Sequence, residues 1–395
     1  MPAALCQWHN GAGIMRLVAN PFHYGSAVRG AAFADREREL QALTGFMSNG
    51  INVILLSPRR YGKSSLALRA VETLQHEKAR AARADLARCS ASRKEFAEVL
   101  ATAVFRDALG GVRGLTREFQ RKLVQVRASI RLEAGFSPEG KANFSLSLAP
   151  HSPNTDWRQE ISAVLHVLYE GSDKHPTTLV IDEFQKVESI DPELPWFFKA
   201  ITDELPRLSL VFAGSRRTFM KQLTEGRNAP FKDIGENLNL GLIPEPAMTA
   251  FLRERARGAG KEMSEAGAGR IFDLARGVPD FVQQLAYHAF EESDRLIDLA
   301  GVDAGLDRLM EHQSASFAEV LDRRPAIQQR VLKALAVQSE RQPFSAAFLR
   351  RSDIGVAASV SKALKPLEHD ELIELSPEGW RVFNPFFALW LRLPS

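Results

Sequence analysis

The apolar positions near the start of the chain change from helical spacing to strand spacing within a few residues. Apolar side chains recur three and four residues apart from Leu40 to Met47, which predicts a helix with one buried face. The predicted helix ends at Asn49-Gly50. The apolar, β-branched run at 52–56 follows at once and is typical of a buried strand.

The same alternation of strands and helices continues to about residue 240. Further strands are predicted at 81–89, where charged residues weaken the pattern, at 176–181 and at 208–213. Helices are predicted between them at 64–71, 96–109, 116–126 and 157–169. Strands that alternate with helices indicate a parallel sheet covered by helices on both faces, so the predicted fold class is α/β.

An insertion in this α/β pattern is predicted at 126–149. Apolar and polar residues alternate at 127–133 and 143–148, on either side of the Gly- and Pro-containing segment 135–140, which favours a β-hairpin. We interpret the hairpin either as a lid or partner-contact element, or as a plain surface hairpin.

The pattern is almost entirely helical after Pro246. Four short helices are predicted at 248–257, 265–275, 280–293 and 302–313. Three more are predicted at 324–337, 344–350 and 356–367, followed by strands at 372–375 and 380–383. Three helices and a two-stranded wing are typical of a winged helix-turn-helix.

The pattern predicts three domains after a loose N-terminal leader. The leader, 1–19, has no usable period, and Met15 is an alternative start. The domains are an α/β core at 20–243, a helical lid at 244–315 and a winged helix at 316–395.

Composition fits a soluble globular protein of two or three domains. The 395 residues are 45% hydrophobic and 25% charged. The two cysteines, Cys6 and Cys89, lack metal-ligand spacing and fit a reducing compartment, so a cytoplasmic location is predicted. No apolar run approaches the roughly 20 residues of a membrane span, and no membrane partner is predicted.

Positive charge is concentrated in one region. Segment 69–131 has 14 Lys and Arg against 7 Asp and Glu, a balance of +7, although the net charge of the chain is only +3. Such a region is either a binding surface for DNA or another polyanion, or the solvated faces of helices.

A phosphate-binding loop is predicted where the strand at 52–56 meets the next helix. The loop chemistry requires backbone N–H groups around the phosphates, a Lys for the β/γ-phosphates and a hydroxyl for Mg²⁺. Lys63 and Ser64 supply the last two, but Ser57 occupies the position of the first glycine, at a cost of about 1 kcal/mol if its backbone is strained. The candidate binding residues are Pro58, Arg59, Arg60, Tyr61, Gly62, Lys63, Ser64 and Ser65.

Two later strands end in residues suited to phosphoryl transfer. The strand before Asp182-Glu183 predicts that Asp182 shares Mg²⁺ with Ser64 and that Glu183 orients or deprotonates the attacking water. Ser215 or Arg216, after the next strand, is a candidate sensor of the γ-phosphate.

Several segments together resemble the archaeal-type ATPase family, in the STAND branch of the AAA+ superfamily. Arg276-Gly277-Val278-Pro279 is similar to the Gly-x-Pro signature of that family. The likeness covers about residues 20–393. The other segments that carry it are 20–22, 33–40, 58–66, 180–185, 213–216 and 380–390.

The resemblance implies ATP as ligand, an α/β ATPase core, a helical lid and a winged helix. It places Pro21 and Phe22 near the adenine, and makes Arg276 and Pro279 candidates for nucleotide contact. Arg276 is equally compatible with an ordinary helix end before a Gly-Pro stop. The chain departs from the family in three respects. Ser57 replaces the usual glycine, the stretch from Lys63 to Asp182 is long, and no arginine finger can be assigned.

Three functions fit these observations. The first is a Mg²⁺-dependent ATPase that hydrolyses ATP slowly and acts as a conformational switch. The second is an ATP-gated DNA loader or regulator that uses the winged helix and the basic region, although the predicted recognition helix offers only Lys362 and Lys365. The third is a nucleotide-binding scaffold without turnover. A protein partner and a nucleotide-dependent homo-oligomer are further expectations.

Overall fold

The computed structural model describes most of the chain, in six segments. The segments are 19–108, 130–136, 142–148, 157–170, 177–215 and 217–393, with backbone alone at 130–136 and 142–148. Residues 1–18 of the predicted leader at 1–19, the predicted helix at 116–126 and Arg216 lie outside the described residues. The described residues form two compact units, one containing 23–248 and 276–282, the other containing the remainder.

A five-stranded parallel sheet forms the centre of the first unit. The strands are β1 (Val53–Leu56), β2 (Ala81–Asp85), β5 (Thr177–Asp182), β6 (Leu208–Gly214) and β7 (Glu236–Asn239). Their spatial order is β2-β5-β6-β1-β7, so the first strand lies inside the sheet and the chain crosses it repeatedly. This confirms the predicted α/β class.

Helices cover both faces of this sheet, because successive apolar residues of a strand point in opposite directions. Leu179 and Ile181 of β5 pack into one cluster, while Val180 packs into the other. The first cluster includes the helices Arg93–Ala103, Trp157–Tyr169 and Leu194–Glu204. The second includes the helices Glu37–Ser48 and Lys63–His76.

Three elements of the first unit differ from the sequence prediction. Strand β2 ends at Asp85 rather than residue 89, because Asp85 accepts a hydrogen bond from the Ala87 N–H and begins a 3₁₀ turn. Strand β7 and the helix Leu194–Glu204 were not predicted. The sequence of β7 is exposed and polar, so it shows no strand period. Its pairing with β1 holds it in the sheet.

The predicted hairpin is present as two antiparallel strands. Strand β3 (Ile130–Phe136) pairs with β4 (Ala142–Leu148), with Ile130 opposite Leu148 and Phe136 opposite Ala142. Its proposed role as a lid or partner-contact element stays a prediction. The remaining helices of this unit are Val187–Ile190 and Arg217–Thr224.

The helices after β7 continue into the second unit, which ends in a winged helix. The predicted helix at 302–313 is part of one longer helix, Leu299–Asp322. The elements after β7 are the helices Glu245–Gly258, Glu265–Leu274, Pro279–Glu291 and Leu299–Asp322, with the short paired strands β8 (Glu262–Met263) and β9 (Leu296–Ile297).

The winged helix contains the three predicted helices and the two-stranded wing. The helices are Ala326–Val337, Ala346–Arg351 and Ala357–His369, and the wing is β10 (Ile373–Ser376) paired with β11 (Gly379–Val382). A last helix, Pro385–Trp390, follows. Its Trp390 ring stacks on Phe387, and the indole N–H donates to Ser314 Oγ at 3.0 Å.

None of the described helices combines the length and the hydropathy needed to cross a bilayer.

Candidate functional site

The predicted phosphate loop joins β1 to the helix Lys63–His76. Within the described loop, φ is positive at Arg60 (67°) and Gly62 (89°), but not at Ser57. The Ser57 side chain is buried, and its hydroxyl donates to the Pro58 carbonyl at 2.7 Å. The backbone strain considered for Ser57 is therefore absent. The glycine is required at Gly62, because L side chains rarely adopt that φ.

The first turn of the helix Lys63–His76 faces the end of the sheet where the candidate residues meet. Leu56, at the end of β1, is in register with Gly214 of β6, and Asp182 of β5 is in register with Ala213. Ligands of open parallel sheets bind at this carboxyl edge, and the free N–H groups of a helix N-terminus attract anions.

A buried arginine, Arg36, is hydrogen-bonded to the loop. Its guanidinium donates to the Tyr61 carbonyl at 3.2 Å and to the Gly241 carbonyl at 2.6 Å. It also pairs with Glu39 at 2.7 Å. Arg36 thus links the loop residue Tyr61 to Gly241, which lies after β7.

The two sequence motifs meet at Lys63. Its Nζ lies 2.5 Å from Asp182 Oδ1 and 3.2 Å from Glu183 Oε1. Arg83 of β2 reaches the other oxygen of Asp182, with distances of 2.6 Å from Nη2 and 3.2 Å from Nε. The structure therefore brings together the predicted Lys, Asp and Glu, and adds an arginine that sequence reasoning missed.

The charges in this cluster shift one another's protonation equilibria. Burial opposes ionisation of Asp182, but Lys63 and Arg83 outweigh it and lower the pKa of Asp182 to about 2. Burial likewise opposes the charge of Lys63, yet the two carboxylates raise its pKa above the ordinary value. Asp182, Lys63 and Arg83 are consequently all ionised at neutral pH.

Glu183 lies directly beyond the buried carboxylate in a left-handed conformation, with φ 57°. Its backbone N–H donates to Asp182 Oδ1 at 2.9 Å, and its side chain is about a quarter exposed. Gln185 donates to Glu183 Oε2, and it also donates to Ser215 Oγ at 3.1 Å. Ser215 is therefore connected to Glu183 through a glutamine to which sequence analysis gave no role.

The segment Arg276–Val282 packs against the phosphate loop within the same unit. Asp280 forms an ion pair with Arg60, and its N–H donates to the Arg60 carbonyl at 3.3 Å. The Arg60 guanidinium lies 4.9 Å from the centre of the Phe281 ring. The Gly-x-Pro turn, whose Arg276 has φ 53°, thus contacts the loop through Asp280, the residue after Pro279.

Other predicted binding residues have different surroundings. Ser65 Oγ accepts the Val28 N–H at 3.0 Å, and Ser64, one residue earlier, is half-buried. In the second unit, Arg255 donates to the Pro21 carbonyl at 3.1 Å, and Phe22 is buried with its ring 6.1 Å from that of Phe290. The roles of Pro21 and Phe22 at an adenine stay predictions.

The donors present fit a magnesium ion. Mg²⁺ prefers hard oxygen ligands and commonly takes one or two from the protein, with substrate phosphates and water completing its shell. Ser64 follows Lys63 in the first turn of the helix and supplies a hydroxyl, while Asp182 supplies an ionised carboxylate. The described residues contain no cluster of three or more His, Cys, Asp or Glu suited to another metal.

Comparisons with known proteins show the fold of this chain. Residues 315–393 match the family described as a probable winged helix domain. The chain is similar in structure to a Walker-type ATPase of Pyrococcus abyssi, with 19% identity, a TM-score of 0.64, and 92% of this chain and 97% of that chain covered. The chain therefore has a P-loop ATPase fold with a C-terminal winged helix. No curated protein matched it.

Two weaker similarities were also found. One is to the Orc1 protein of Aeropyrum pernix, solved in complex with DNA, with 14% identity, a TM-score of 0.49, and 92% of this chain and 93% of that chain covered. The other is to the RuvB Holliday junction branch migration motor of Thermotoga maritima, with 13% identity, a TM-score of 0.41, and coverages of 89% and 93%.

Proposed function

We propose that this chain binds ATP and hydrolyses it slowly with Mg²⁺, as a nucleotide-dependent conformational switch of the STAND branch of AAA+ ATPases. The observation that carries the proposal is the convergence of Lys63, Asp182 and Glu183 within 3.2 Å at the carboxyl edge of a parallel sheet. Phosphoryl transfer asks the protein mainly for positioning and charge, and this cluster supplies both.

The phosphates are held by the loop backbone from Pro58 to Ser64 and by the Lys63 ammonium. Lys63 exchanges its contact with Asp182 for the β/γ-phosphates when nucleotide enters. Ser64 and Asp182 would hold Mg²⁺, directly or through water, and the ion would supply positive charge beside the phosphate oxygens.

Hydrolysis proceeds by attack of water on the γ-phosphorus. Glu183 orients the water and accepts its proton as the new P–O bond forms and the bond between the γ-phosphorus and the bridging oxygen breaks. The products are ADP and inorganic phosphate. Ser215, or Arg216 beside it, contacts the γ-phosphate and distinguishes ATP from ADP, and Arg276 is a further candidate for nucleotide contact.

Turnover of ATP by purified protein tests this proposal. Compared with the wild type, Lys63→Ala is expected to weaken ATP binding and turnover, and Glu183→Gln is expected to keep binding and lose turnover. Lys232→Ala, at an exposed lysine, is the matched control. Equal turnover in all four proteins would refute the assignment, whereas tight ADP retention without phosphate release would favour the scaffold function.

A second candidate is DNA contact through the winged helix. It is favoured by the family match at 315–393 and by the exposure of Lys362 and Lys365 on the helix Ala357–His369. Phosphate contacts weaken as salt rises. Two results would exclude this function. One is the absence of a DNA mobility shift even at low ionic strength, and the other is a shift that Lys362→Ala combined with Lys365→Ala leaves unchanged.

A further inference from the structure

We propose that Gln185 is a positioning residue, which fixes the Glu183 carboxylate for its role toward water and connects it to Ser215. This inference rests on the proposed ATPase function and extends it to Gln185, a residue to which the sequence motifs assign no role. It follows from the hydrogen bonds of one amide group.

Gln185 uses both ends of its amide. The nitrogen donates to Glu183 Oε2 and, at 3.1 Å, to Ser215 Oγ. The oxygen accepts the Ser215 backbone N–H at 3.3 Å. Only an amide offers donors and an acceptor together in this planar arrangement, since an ionised carboxylate accepts hydrogen bonds but donates none.

The hydrogen bond from Gln185 is the side-chain contact that Glu183 keeps when nucleotide binds. Glu183 Oε1 is paired with Lys63 and Oε2 with Gln185. In the proposed nucleotide complex Lys63 contacts the phosphates, so the Glu183–Lys63 contact weakens. The bond from Gln185 then keeps the carboxylate in one orientation, and fixed orientation of a general base accounts for much of its catalytic effect.

The backbone that carries Gln185 is anchored on both sides. Phe184 is fully buried, with its ring 4.8 Å from that of Phe212 and 5.6 Å from that of Phe231. Val187 is buried on the other side. The 3₁₀ turn Phe184–Lys186 is therefore held by the core, and the amide is presented at the edge of the sheet.

A glycine provides space beside the amide. A Cβ at Gly214 would lie 3.2 Å from Gln185 Oε1 and 2.7 Å from Met220 Sδ. Gly214 has no positive φ, so the close approach of the Met220 and Gln185 side chains explains why this position is a glycine. The contact of Gln185 with Ser215 thus joins the segments that follow β5 and β6.

The test compares Gln185→Ala and Gln185→Glu with the wild type, using Gln41→Ala at an exposed glutamine as control. Gln185→Glu keeps the size of the side chain and removes the donor. Three quantities are measured: kcat for ATP, Kd for ADP, and affinity for ADP with aluminium fluoride, a mimic of the transferring phosphoryl group. Circular dichroism and thermal unfolding verify folding of each variant.

We expect kcat to fall about 10-fold to 100-fold in both variants while Kd for ADP stays within about twofold. Affinity for ADP with aluminium fluoride should fall in parallel with kcat. Ser215→Ala, which keeps its backbone N–H, should show a smaller loss.

Two results overturn the inference while the ATPase function stands. One is a kcat of Gln185→Glu equal to that of the wild type. The other is a loss of ADP affinity in the same proportion as the loss of kcat. Absence of turnover in the wild type, by contrast, overturns the proposed function and the role of Gln185 with it.

Discussion

Arg83 Nη2 lies 2.6 Å from Asp182 Oδ2, across the neighbouring strands β2 and β5. Asp182 is fully buried and Arg83 is only 16% exposed, so the pair is shielded from water. Removal of one partner from a buried pair leaves the other charge uncompensated, and this usually costs more than the pair contributes.

Arg83→Ala is therefore expected to lower the free energy of unfolding by about 2–3 kcal/mol, since Lys63 still pairs with Asp182. Arg80→Ala, at an exposed arginine just before β2, should change it by less than about 0.5 kcal/mol. Urea unfolding followed by circular dichroism measures both. Equal effects of the two substitutions would show that the Arg83 pair is not stabilising.

The contribution of Asp182 to stability is expected to depend on pH. Its pKa of about 2 lies below the ordinary 3.8, so the ionised folded state is stabilised by about 2 kcal/mol above pH 3.8. That contribution disappears as pH falls through 2. The difference in unfolding free energy between the wild type and Asp182→Asn should be constant from pH 8 to about 5 and shrink below 4. A difference that grows on acidification would contradict the assigned direction.

Asp280→Asn is expected to strengthen nucleotide binding. The substitution removes the charge paired with Arg60 and keeps an oxygen for the Gly25 N–H, which Asp280 Oδ1 accepts at 2.7 Å. Arg60 then becomes available to the phosphates, and a carboxylate that repels them is lost. Kd for ATP should fall about threefold to tenfold, or about 1 kcal/mol, in a fluorescence titration.

Two observations would clarify the effect of Asp280. Glu72→Gln, which cuts the pair between Glu72 and the exposed Arg29, should leave Kd unchanged. A higher Kd in Asp280→Asn would indicate instead that the ion pair with Arg60 shapes the loop for binding.

Gly214→Ala is expected to destabilise the end of β6. The new methyl group would contact Met220 Sδ at 2.7 Å, and overpacking of a buried site costs about 1–3 kcal/mol. Gly241→Ala is the matched control, because nothing lies within 4 Å of a Cβ there and its φ is not positive. Thermal unfolding should separate the two variants by several degrees. Equal midpoints would show that the Met220 side chain moves aside freely.

The sequence predicted the sheet, the phosphate loop and the Lys63–Asp182 relationship because each motif has a local signature. Strand β7 was missed because its polar residues show no period, and pairing with β1 determines its conformation. The helix Leu299–Asp322 is longer than predicted because contacts such as Trp390 with Ser314 support its second half.

The residues missed in the candidate site form contacts that are distant in sequence. Arg83 and Asp182 are 99 residues apart, and Arg60 and Asp280 are 220 apart. One signal was present: an arginine between the alanines of β2 requires a partner when it is partly buried. Gln185 gave no such signal, since a glutamine after Phe184 fits an ordinary surface turn equally well.

Arg36 affects how loss-of-function data on this protein should be interpreted. The side-chain hydrogen bonds of Arg36 in the described structure all go to Glu39 and to the carbonyls of Tyr61 and Gly241. A random mutagenesis screen that scores nucleotide binding would recover Arg36 together with Lys63. Variants at these two positions respond differently to an added stabilising osmolyte. The osmolyte rescues the loosened loop of an Arg36 variant but cannot replace the phosphate contact that a Lys63 variant lacks.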